Sequence, residues 1–78
     1  MGEPVESERY ALRIIHELGK TKSEEIGKEM GFSAEYAAIL CRSLWKGGYV
    51  RGTAVTGYEV TEKGEKFLAR MEKTKKKF

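Results

Sequence analysis

The sequence predicts an α+β domain, mainly α, in which a three-helix core is followed by a small β-hairpin and a C-terminal helix. Three observations carry this expectation. Apolar residues recur at helical spacing in three segments ahead of Gly47-Gly48, each closed by glycine. The period changes to two around Tyr49-Val50-Arg51 and Tyr58-Glu59-Val60, on either side of a stretch bracketed by Gly52 and Gly57. Helical spacing then returns after Thr61. At 78 residues the chain holds one domain. That domain is expected over residues 7–72, between a flexible N-terminus (1–6) and a frayed, basic C-terminal tail (73–78).

The first helix is expected from about Ser7 to Leu18, with Glu6 and Glu8 near the positive end of its dipole and Gly19 as its stop. Tyr10, Ala11, Ile14, Ile15 and Leu18 share one side. Leu12 widens that arc to about 200°, beyond the ~100° stripe that a single core contact requires, so part of the helix is expected to face a second copy. Arg9, Arg13, His16 and Glu17 fall on the wet side, which makes His16 a solvated residue. A short second helix is expected over about Lys22 to Met30. Thr21 and Glu24 form a capping box at its start, with Ser23 the other candidate cap, and Gly31 ends it. Ile26 and Met30 point inward, with Phe32 packed beneath them.

Ser33 caps a third helix, about Ala34 to Lys46. The hairpin follows, with a loop of four to six residues. Thr61 then caps the last helix, whose Gly64, Phe67, Leu68 and Met71 form one narrow stripe on which Phe78 would fall if the helix continued.

Composition narrows the function classes. Hydrophobic residues make up 40% of the chain, enough for one core. A chain this short buries only about 60–65% of its unfolded surface, so self-association would add stability. No apolar run approaches the ~18 residues that cross a bilayer, and Met1 to Val5 lacks the basic-then-apolar pattern of a leader, so a cytoplasmic protein without membrane contact is expected. One cysteine, Cys41, makes neither a disulfide nor a thiolate metal site within one chain. The net charge of +3 is deceptive. Four of the fifteen cations lie between Lys73 and Lys77, leaving eleven against twelve glutamates, a charge of −1, over residues 1–72. Asp, Asn and Gln are absent, a Lys/Glu bias that fits a thermophilic source.

The residues of the middle of the chain carry a resemblance. Thr21-Lys22-Ser23-Glu24-Glu25-Ile26-Gly27-Lys28-Glu29-Met30-Gly31-Phe32-Ser33 resembles the helix-turn-helix entry of winged-helix transcription regulators. Leu44-Trp45-Lys46-Gly47-Gly48-Tyr49-Val50 is similar to the end of their recognition helix and first wing strand, and Tyr58-Glu59-Val60-Thr61-Glu62-Lys63-Gly64 to the second wing strand and its cap, as in MarR-like and related archaeal regulators. The resemblance spans roughly residues 7 to 72. It implies a winged helix-turn-helix and a transcriptional regulator of double-stranded DNA; a homodimer is expected from the wide apolar arc of the first helix and the stripe of the last. The resemblance is specific for the fold and weak for the ligand, because the same scaffold serves as a protein-binding module.

On the third helix Ala37, Leu40, Cys41 and Leu44 form the inner face. Glu35, Ile39, Arg42 and Lys46 then point outward, with Ala38 and Ser43 on the shoulders and Tyr36 and Trp45 on the flanks. In a major groove ~12 Å wide, Arg42 is the one residue able to contact guanine bidentately. Ile39 and Ala38 would meet thymine methyls, while Ser33, Tyr36, Ser43 and Lys46 would position the backbone. Two such helices in a dimer would address half-sites ~34 Å apart. Lys22 and Ser23 at the start of the second helix, with Lys20 and Lys28, would clamp phosphates, or would simply balance Glu24, Glu25 and Glu29 in solvent. The hairpin tip, Thr53-Ala54-Val55-Thr56, is neutral, leaving Arg51 at its base as the wing's cation. The lysine tail attracts polyanions without reading sequence, or serves as a solubilising end. The alternative for the outer face is a protein contact built on Tyr36, Ile39, Trp45 and the hairpin, within a larger complex. No catalytic residue, metal or cofactor is expected: the sole histidine is on a polar face, Asp is absent, and no phosphate-cradling loop follows a strand.

Overall fold

The computed structural model describes residues 4–76, with side chains for 4–70. Among the described residues the chain is a mixed α+β domain of four helices and one three-stranded antiparallel sheet. The order is α1 (Glu6–Leu18), β1 (Lys20–Thr21), α2 (Ser23–Met30), α3 (Ala34–Lys46), β2 (Val50–Thr53), β3 (Gly57–Val60) and α4 (Glu62–Lys76). Within the sheet the strands lie β1-β3-β2.

Pro4 is buried and α1 opens one residue earlier than expected, the Val5 N–H donating to Glu8 Oε1 at 3.0 Å. Ala11, Leu12, Ile14 and Ile15 are buried along α1, while Tyr10 and Leu18 stay half exposed at the two edges. The wide apolar arc has an internal cause. The other three helices, β1 and β3 all pack on α1, and Leu12 is completely enclosed. In α4, Phe67 and Leu68 are likewise core residues. Both surfaces on which the homodimer expectation rested are thus largely spent within the chain. Met71, the rest of that stripe, lies outside the described side chains, and Phe78 outside the described residues.

The strand β1 was not anticipated. Lys20 pairs with Glu59 and Thr21 with Tyr58, so Thr21 belongs to the ladder and is not the cap of α2. It is 3% exposed, and its hydroxyl donates to Glu25 Oε1 at 2.7 Å. Lys22 takes the cap position without a side-chain bond, and Ser23 is the first helical residue, so neither candidate cap acts as one. Lys20 and Lys22 consequently precede α2 and only Lys28 lies on it.

Gly31 ends α2 in the left-handed region (φ 78°), as expected. The Phe32 N–H then turns back to the Gly27 carbonyl at 2.8 Å. This turn throws the Phe32 side chain outward. It is exposed and edge-on to Tyr36, ring centroids 4.9 Å apart, and does not pack beneath Ile26 and Met30. Ser33 caps α3, its Oγ accepting from the Tyr36 N–H at 3.1 Å.

The hairpin loop is shorter than expected, three residues at 54–56, because the ladder runs through Gly52 and closes at Thr53 and Gly57. Gly52 (φ 120°) is obligatory, since a Cβ there would strike the Gly57 carbonyl across the strands. Thr53 and Thr56 exchange bonds at the tip: each hydroxyl accepts from the other residue's N–H, at 3.0 and 3.2 Å. Thr61 caps α4, accepting from the Gly64 N–H at 3.3 Å while its hydroxyl donates to the Gly48 carbonyl at 2.6 Å. The helix continues to Lys76, through much of the segment expected to fray.

Candidate functional site

The third helix separates two chemistries. Its inner residues Ala37, Leu40, Cys41 and Leu44 are all buried, and α1 and α2 hold them. Its outer residues Glu35, Tyr36, Ala38, Ile39, Arg42, Ser43, Trp45 and Lys46 are all exposed, as the 3.6-residue period requires. Successive residues turn by about 100°. Glu35, Ile39, Arg42 and Lys46 therefore form a central ridge, Tyr36 and Ser43 one flank, and Ala38 and Trp45 the other. Phe32 extends the Tyr36 flank through their ring contact.

Beside the Trp45 flank lies the hairpin, and the two enclose an open cleft of about 410 Å³. From α3 it is lined by Ala38, Ile39, Arg42 and Trp45, and from the hairpin by Gly52, Ala54 and Tyr58. The room exists because Ala38, Gly52 and Ala54 are small. The sequence marks Tyr58 as a strand residue and Gly52 and Ala54 as turn and tip. A cleft between elements remote in sequence leaves no local pattern.

Strand alternation places Arg51 elsewhere. Gly52 and Tyr58 face the cleft, so their neighbours Arg51 and Glu59 occupy the opposite face of the sheet. There Arg51 Nε meets Glu59 Oε2 at 3.0 Å, a largely solvated pair. The cation expected at the wing base is thus paired with Glu59 and turned away from α3. Lys22 is exposed and Ser23 half-buried at the start of α2, outside the cleft. Ser33 is exposed, its acceptor lone pair engaged in capping and its hydroxyl proton still available. Of the expected residues, Tyr36, Ile39, Arg42, Ser43 and Lys46 share one surface.

Among the described residues neither Arg42 nor Lys46 has an ion-pair partner, in contrast to Arg51 on Glu59 and Lys66 on Glu62. A further cation, not anticipated, sits at the end of α3. Lys63 Nζ donates to the Gly47 carbonyl at 2.6 Å and lies 4.7 Å from the Tyr49 ring centroid, where it complements the negative end of the helix dipole.

Two residues with reactive side chains stand outside this surface. His16 is exposed on α1. Cys41 is fully buried, and burial pushes its thiol up to about 11, so it stays protonated and weakly nucleophilic at neutral pH. No group of three His, Cys, Asp or Glu able to hold a metal ion occurs among the described residues, nor is any helix there long and apolar enough to cross a membrane. In comparisons with known proteins, no family model and no curated protein matches the chain.

Proposed function

We propose that the chain is a winged helix-turn-helix DNA-binding domain acting in transcription regulation, with α3 laid in the major groove of a duplex. The element order with its β1-β3-β2 sheet is compatible with that fold. The observation that carries the reading is the exposure of the whole outer face of α3 over a fully buried inner face. Such a helix is rigidly backed and free on the side that would enter the groove. Arg42, without a competing carboxylate, reads guanine O6 and N7. Ile39 and Ala38 meet thymine methyls. Ser33, Tyr36, Ser43 and Lys46 hold the backbone, and Lys22 with Ser23 adds phosphate contacts from the start of α2. Glu35 accepts from a cytosine amino group. Arg51, paired with Glu59 on the sheet face opposite the cleft, lies away from α3 and contributes little to this face.

The test is a titration against duplex DNA at two salt concentrations. Each phosphate contact contributes about −0.9 to the slope of log affinity against log salt. Lys46→Ala is expected to weaken all sequences equally and to reduce the slope by about one contact, whereas Arg42→Ala relaxes specificity at one base pair, at a cost of about 1–3 kcal/mol. Equal losses across sequences for both variants would defeat the assignment of Arg42.

A second reading rests on a specific observation: Ile39, Trp45 and Val55 are 63%, 53% and 79% exposed, beside an uncharged hairpin tip. Apolar side chains so placed also suit a protein-docking module within a larger complex. A salt slope near zero, or binding abolished by deleting residues 73–78 alone, favours that module over the regulator.

A further inference from the structure

We propose that the cleft between α3 and the hairpin binds single-stranded nucleic acid, one unpaired base entering it beside Trp45 with its phosphate on Arg42. The proposal shares Arg42 with the duplex reading and does not depend on it. Three features of the cleft point to this occupant. Its size, about 410 Å³, falls in the range of roughly 300–1,000 Å³ typical of sites for small organic groups, and no duplex fits within it. Its walls offer two aromatic side chains, Trp45 and Tyr58, and neither is paired with another ring: the ring contacts among the described residues are Phe32–Tyr36 and Tyr49–Phe67. Its charge is complementary to a phosphodiester. Arg42 is the one ionisable group of acid or base lining the cleft apart from the Tyr58 phenol, no carboxylate lines it, and no ion pair engages the guanidinium.

A flat apolar wall with one free cation at its edge is the arrangement by which unpaired bases are held: the ring stacks on the aromatic side chain while the backbone follows the positive charge. Ala38, Gly52 and Ala54 keep the space beside the rings open. Gly52 is fixed as glycine by the hairpin itself, so this wall of the cleft is built into the strand pairing.

Trp45 is the only tryptophan, so the fluorescence of the intact chain reports directly on the cleft. Titration with a short oligothymidylate is expected to quench Trp45 saturably, and a strand of equal length without bases is expected to bind at least about tenfold more weakly, in line with stacking as the main term. In anisotropy measurements with a labelled oligothymidylate, Trp45→Ala and Ala54→Glu are each expected to lose about tenfold or more in affinity. Both positions are exposed, and circular dichroism checks that the fold is retained. Equal binding of the abasic strand, binding without quenching, or unchanged affinity in both variants would overturn the proposal. Duplex binding measured on the same protein separates the readings. Duplex binding with no response to the single strand sinks this proposal alone, whereas a single-strand response without duplex binding supports it and sinks the regulator.

Discussion

Cys41 shows how much a single buried atom contributes to the pH dependence of the whole chain. Its thiol is enclosed on α3, and burial raises its pKa from 9.0 to about 11. The unfolded chain therefore releases this proton first as pH rises. The stability tied to the neutral thiol is fully present below about pH 9 and is lost as pH climbs through about 11, a total of about 2–3 kcal/mol. Denaturant unfolding of the parent chain and of Cys41→Ala near neutrality and at high pH is expected to show the parent losing more stability, by that order. A parallel decline in the two proteins would show that Cys41 is not the source. Thr21 is the second informative residue. Thr21→Val keeps the shape and the β-branch but removes the bond to Glu25, an exposed carboxylate that water can then satisfy, so a loss of about 1 kcal/mol is expected. From sequence, Thr21 fits a capping box equally well. What decides against it is a partner strand near the other end of the chain, which no local pattern can announce.

At the scale of elements, α3 was legible from end to end. Its cap, its inner face and its glycine stop are all local signals; Ser33 caps, the inner face is buried, and Gly48 (φ 83°) supplies the left-handed turn after the helical Gly47. Replacing Ser33 by Ala removes the acceptor for the Tyr36 N–H and is expected to lower the unfolding free energy by about 1 kcal/mol, while Ser33→Asp, which keeps an acceptor at the cap, should retain most of it. Thermal or denaturant unfolding of the two variants checks this. Two elements were harder to read for opposite reasons. The strand β1 has two residues, too few to display a period of two. The first helix has too many apolar residues for one contact, and the excess pointed to a second copy because the number of neighbours around α1 is a property of the fold and not of its periodicity. Phe32 failed for a similar reason: the αL turn at Gly31 sets where the next side chain points, and the side chain's hydrophobicity does not.

Over the whole molecule, charge is separated along the chain: residues 1–72 carry −1, and four lysines cluster between Lys73 and Lys77. A polyanion thus meets two kinds of positive group, the tail lysines and the unpaired Arg42 and Lys46 of α3. Deleting residues 73–78 is expected to reduce the duplex salt slope by no more than about 3.6, four contacts' worth, and to leave a residual slope of about −2 or steeper from the structured cations. The outer face of α3 was legible because helical geometry alone distributes its residues. The cleft was not, because it forms only when the hairpin folds back against Trp45, nor was the pairing of Arg51 with Glu59, because the register depends on where the ladder closes.

The short pairing of β1 with β3 also sets an order of events. It joins the segment between α1 and α2 to the last strand, so about half the chain must be gathered before those bonds form, whereas the backbone bonds within the helices and the β2–β3 hairpin close between near neighbours. Closure of this seam is expected late on the folding route, after the barrier. Weakening it with Thr21→Gly, which takes the β-branch out of the strand, should consequently leave the refolding arm of a chevron nearly unmoved and raise the unfolding arm, making that seam the latch that governs how long the native state persists.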